Sequence, residues 1–103
     1  MQIIPLQSLP AQSFQVTLSG QSCAINITQR NTGLFIDLYV GGTLIVGGAI
    51  CQDRNRIVRD AYLGFIGDLS FVDTQGQSDP YYSGLGAQYI LVYLDPFDVI
   101  ADT

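Results

Sequence analysis

With 103 residues, of which 48% are apolar and only 13% charged, the chain has the length of one domain and too few charges to coat its surface; an ordinary soluble domain carries about 25% charged residues. Its net charge of −5 comes from nine aspartates and four arginines without any Lys or Glu, so nothing in it favours nucleic acid, which requires clustered cations. Histidine is absent, which removes the commonest general base and zinc ligand.

The opening MQIIPLQSLPAQ has no basic leader region and carries Pro5 and Pro10, so it reads as neither a signal peptide nor a membrane span. The chain is expected to fold in the cytoplasm in which it is made. Met1 to Ile4 is predicted as a short edge strand, because Pro5 cannot donate to a central ladder. From Ser13 to Leu18, Phe14, Val16 and Leu18 alternate with Gln15 and Thr17, the period of a half-buried strand. After a turn at Ser19-Gly20-Gln21, Cys23, Ile25 and Ile27 alternate with polar or small residues and predict a second strand paired to the first.

Leu34 to Val40 and Thr43 to Val46 are β-rich runs separated only by Gly41-Gly42, whose missing Cβ atoms permit the positive φ values of a type I′ turn. A hairpin is predicted there. Its first strand has bulk on both faces, with Phe35 and Tyr39 opposite Leu34, Ile36, Leu38 and Val40, which calls for a second covering layer or a contact surface. Gly47-Gly48 predicts a bulge or a close backbone approach before the run resumes at Ala49. The stretch Asp53 to Asp60 holds three of the four arginines; extended, it aligns Arg54 with Arg56, and helical, it aligns Arg56 with Arg59. Tyr62 to Val72, broken by Gly64 and Gly67, predicts one bent strand or two short ones. Asp73 to Leu85 is a long loop, of the kind that is often functional or flexible. Gln88 to Leu94 is a final strand, apolar enough to be central, and Pro96 ends it before an acidic tail.

These elements predict an all-β fold, a small antiparallel β-sandwich or partly open β-barrel of about seven strands, forming a single domain over 1–103 with its core at 3–94 and a tail at 95–103. Chemistry is sparse. Cys23 and Cys51 lack CxxC spacing and read as free core thiols, so no thiol or metal catalysis is expected. Nothing selects a catalytic pair among the nine aspartates. Asp73 to Asp79 faintly resembles a calcium loop but lacks its closing Glu. No cofactor is expected. The arginine cluster supports two readings: local pairing with Asp53 and Asp60, or recognition of another protein. Arg and Tyr recur at interface hot spots, so the candidate interface is Arg54, Arg56, Arg59, Tyr62, Tyr81 and Tyr82.

Gly33-Leu34-Phe35, Asp37-Leu38-Tyr39-Val40, the Arg54 to Arg59 cluster, Asp60-Ala61-Tyr62-Leu63-Gly64 and Phe71-Val72-Asp73-Thr74-Gln75-Gly76 together resemble the small baseplate plug family of contractile-tailed bacteriophages, named for a cyanophage baseplate plug. The resemblance runs from about Ile3 to Leu94 and is densest between Gly33 and Gly76. It implies a structural, non-enzymatic virion protein near the tail tube and hub. The expected partners are other tail and baseplate proteins (tube, hub and wedge) and copies of the chain itself in a symmetric ring, and the expected location is the virion tail baseplate. Two other classes remain: a carbohydrate-binding or host-adhesion sandwich using Tyr81 and Tyr82, and a small hydrolase using paired aspartates.

Overall fold

In a computed structural model that describes residues 2–58 and 65–95, two tight turns set up the larger sheet. Ser19 and Gly20 have φ values of 51° and 76°, and Gly41 and Gly42 have 58° and 84°. Positive φ at both central residues is the geometry whose twist matches that of an antiparallel hairpin. The strands they join are β2 (Ala11–Leu18) with β3 (Gln21–Arg30), and β4 (Gly33–Val40) with β5 (Thr43–Ile50). β3 and β4 also pair, giving a four-stranded antiparallel sheet in the order β2-β3-β4-β5.

The second sheet has three antiparallel strands in the order β1-β7-β6, formed by β1 (Gln2–Ile4), β6 (Asp68–Asp73) and β7 (Tyr89–Leu94). β7 is central and β1 lies at an edge, as the apolar run at Gln88 to Leu94 and Pro5 predict. The hairpin and the later apolar run therefore belong to different sheets. The predicted strand over Tyr62 to Val72 is reduced to Asp68–Asp73 among the described residues, because Gly67 takes φ +93° in the turn that leads into it; the part of that expectation covering residues 62–64 lies outside the described residues, as does the tail beyond Asp95.

The sheets stack as a sandwich around one core, not a closed barrel. Leu18, Ile25, Ile27, Leu34, Ile36 and Leu38 come from the larger sheet, and Ile4, Leu69, Phe71 and Leu91 from the smaller, all essentially without solvent contact. Burying each such side chain contributes about 1.5–3 kcal/mol, and this burial is the main force that holds the two sheets together. Cys23 and Cys51 are buried free thiols in the same core, and burial pushes the Cys51 thiol up to about 12.

Gly47-Gly48 does produce the irregularity expected there. Strand β5 runs through it unbroken, but its register against β4 shifts between Ile36, Leu38 and Tyr39. Gly48 takes φ +62°, and its N–H donates to the carboxylate of Asp37 on β4 at 2.6 Å instead of to a β4 backbone carbonyl.

Candidate protein interface

In its described part, residues 53–58, the arginine stretch is neither a regular strand nor a helical turn. Its backbone lies against β6, where the Arg54 N–H donates to the Phe71 carbonyl at 2.7 Å and the Ile57 N–H to the Leu69 carbonyl at 2.9 Å. Between these contacts Arg54 has φ +60°, an uncommon conformation for a residue with a Cβ. That turn aims its guanidinium at the loop after β6: Nη1 donates to the Asp53 carboxylate at 2.5 Å and to the Gly76 carbonyl at 3.2 Å, and Nη2 to the Asp73 carbonyl at 3.4 Å. Local pairing thus accounts for one edge of Arg54, while 53% of its side chain remains exposed.

Three aspartates complete this cluster by binding backbone. Asp53 accepts from the Asp73 N–H at 2.8 Å, and Asp79 accepts from the Asp53 N–H at 3.1 Å. Asp73, almost fully buried, accepts from the N–H groups of Ser78 (2.8 Å) and Gln75 (2.9 Å) and from the Gln88 amide (3.2 Å). Those donors, the Ser78 N–H foremost, hold its carboxyl below the usual range. Its oxygens are already engaged by the chain itself, and the faint calcium-loop spacing is an arrangement for closing a turn. Among the described residues no cluster of three metal-ligating side chains forms.

Asp79 leads directly into the tyrosine pair. The Tyr81 and Tyr82 rings lie 4.9 Å apart at 37°, Tyr81 is 50% exposed, and the Tyr82 N–H donates to the Gln29 side chain on β3 at 3.1 Å. This packing leaves a cleft of about 470 Å³ between the β3–β4 turn, with Arg30, Asn31 and Thr32, and the loop residues Asp79, Pro80 and Tyr81. Arg54 and the two tyrosines therefore share one network of loops, through Asp53 and Asp79. Arg56 sits further along, half-buried opposite Ser70. Arg59 and Tyr62 lie outside the described residues.

A second surface was only partly legible. On the outer face of the four-stranded sheet, Phe35 stands opposite Ile50 and Tyr39 opposite Leu44, which places all four on one side. Leu44 is 52% and Ile50 46% exposed. The Arg30 guanidinium lies 5.8 Å from the Phe35 ring centre, which carries the apolar strip round to the cleft. The alternation around Leu34 to Val40 exposes the aromatic half of this surface to sequence reasoning. Leu44 and Ile50 escape it, because the double register shift in β5 destroys the alternation that would assign their side.

No curated protein matches the chain. Its sequence does match a family model described as cyanophage baseplate Pam3 plug gp18, over residues 1–96, a span that includes both sheets, the arginine cluster and the tyrosine loop. The chain belongs to this cyanophage baseplate plug family.

Proposed function

We propose that the protein is a structural component of a contractile phage tail baseplate, a plug seated near the tube and hub, and that it works through protein–protein contacts without catalysing a reaction. The observation that carries this reading is the family match together with the apolar strip formed by exposed Leu44 and Ile50 and half-buried Phe35 and Tyr39 on a chain of low charge. Surfaces of that kind are costly in water and are ordinarily occupied by a neighbouring subunit. Exposed Tyr81 and the free edge of Arg54 border the same end of the molecule and supply the aromatic and guanidinium groups that anchor interfaces. Arg56, Arg59 and Tyr62 extend this proposed contact region, and its partners are tube, hub or wedge proteins and further copies of the chain in a symmetric ring. The site of action is the virion, after synthesis in the host cytoplasm. A glycan-binding role is not favoured by the family match.

The reading is tested by complementing a phage that lacks this gene with Leu44→Arg and Ile50→Arg variants. Both positions are solvent-facing, so the variants are expected to fold with stability within about 0.5 kcal/mol of the original, yet to be missing from purified tails. Full incorporation of both variants would remove the strip from the interface.

A further inference from the structure

Strand β2 ends the four-stranded sheet, and among the described residues it is the one long edge without a protecting device. The edge at β1 is three residues long and is followed by Pro5. The edge at β6 is covered by the Arg54 and Ile57 backbone. The edge at β5 is broken by its register shifts, with the Gly48 N–H turned onto Asp37. Short strands, covering loops and bulges are the usual means by which an edge is kept from pairing. β2 has none of them: it is eight residues long, in continuous register with β3 from Ala11 to Leu18, and carries neither charge nor proline.

The free groups on that edge can be assigned. The Gln29 N–H donates to the Pro10 carbonyl, which marks this as a bonded position of the ladder although Pro10 has no N–H to give in return; the Ser22 carbonyl, opposite Thr17, instead accepts from the Gly41 N–H on the β4 side. Bonded and non-bonded pairs alternate along an antiparallel ladder. Gln12, Phe14, Val16 and Leu18 therefore bond to β3, and Ala11, Ser13, Gln15 and Thr17 present their N–H and carbonyl groups outward. All four of these residues are exposed. Phe14 and Val16 point into the sandwich but stay only half-buried, because among the described residues no strand lies beyond β2 to finish covering them.

We infer that the free chain pairs with a second copy of itself through β2, antiparallel and about a two-fold axis at Phe14. That register alone uses every outward group on both copies: Ala11 lies opposite Thr17 of the partner subunit, and Ser13 opposite Gln15 of the partner subunit. Phe14 then faces Phe14 of the partner subunit at a closely spaced pair, and each copy covers the rim the other leaves open. The strand is self-complementary in charge as well. Neither β2 nor β3 contains a carboxylate, so the net charge of −5 is kept away from the axis. The pairing concerns the free chain and is independent of the baseplate reading.

Sedimentation equilibrium of the full chain across the micromolar range, with amide hydrogen exchange at the same concentrations, tests it. A reversible dimer is expected, with the Ser13, Gln15 and Thr17 amides slowed only where the dimer is populated. Gln15→Lys and Gln15→Pro alter an outward-facing position whose N–H takes no part in the β3 ladder; both are expected to weaken association at least roughly tenfold. Far-ultraviolet circular dichroism of Gln15→Lys should match the original. A chain that stays monomeric throughout, or a dimer that Gln15→Lys leaves intact, overturns the inference.

Discussion

Asp73 and Arg54 share one task at the residue scale: each uses its charge to hold backbone. Because backbone donors depress the Asp73 carboxyl, the native state binds its proton less readily than the unfolded chain does. Its stabilising effect is thus full above the ordinary value of 3.8 and is lost as pH falls through the lower native value. Asp73→Asn should flatten the acid limb of a urea-midpoint profile against pH, and an unchanged limb would mean the carboxylate is not what anchors the loop. Arg54→Ala removes an exposed ion pair and two carbonyl contacts and should lower stability by about 1 kcal/mol, with faster amide exchange at Ser78. Cys51 works in the opposite pH range. Its native thiol is raised to about 12 from 9.0, so stability is constant through neutrality and falls between those values, by at most about 1.4 kcal/mol per pH unit. Both thiols should resist alkylation at pH 8 until denaturant unfolds the chain; rapid labelling of the native protein would contradict their burial.

The two sheets meet, at the scale of elements, where glycine is required. An added Cβ at Gly67 would lie 2.3 Å from the Leu94 carbonyl oxygen and 2.9 Å from the Tyr93 ring, at a φ of +93°. The Tyr93 hydroxyl beside it donates to the Ile66 carbonyl and reaches the Ser19 hydroxyl, tying the turn before β6 to the β2–β3 turn of the other sheet. Gly67→Ala is expected to cost about 3 kcal/mol or more in chemical denaturation, combining backbone strain with overpacking. A cost below about 1 kcal/mol would show that β6 and β7 can slide apart cheaply. What the sequence revealed follows the same physics. Strands β2, β3 and β4 alternate cleanly because one face is wetter, and the β2–β3 and β4–β5 turns carry Ser19-Gly20 and Gly41-Gly42, so those two pairings could be read from residue spacing, whereas the β3–β4 pairing across Asn31-Thr32 could not. Strand β6 is buried nearly throughout, including Asp68, Ser70 and Asp73, and offers no alternation to read. Its sheet, and the role of Asp68 in accepting from the Ile57, Val58 and Leu69 N–H groups, emerge only when the 53–58 segment folds back on it. Arg54 was identifiable as a notable cation, but its clamp on Gly76 depends on a loop closed by three aspartates, a long-range arrangement that no local spacing encodes.

The whole molecule presents an uneven exterior. Charge gathers in the loops around Arg54 and Asp79, while the four-stranded sheet offers a broad face with Asp37 as its one carboxylate. A core of this kind is self-sufficient: Leu38→Ala should cost about 2–5 kcal/mol and lower the yield of folded chain without regard to assembly. The apolar strip on the opposite face contributes little to folding and is available for partners, which is the division expected of a subunit built into a larger particle. The central claim is that this subunit is part of the tail. Quantitative mass spectrometry of purified, intact phage particles tests it most directly, by measuring the chain's ratio to the tail-tube subunit. The account predicts a fixed ratio corresponding to a few copies per tail, retained after the heads are removed. Absence of the chain from particles that carry a full complement of tube protein would contradict it.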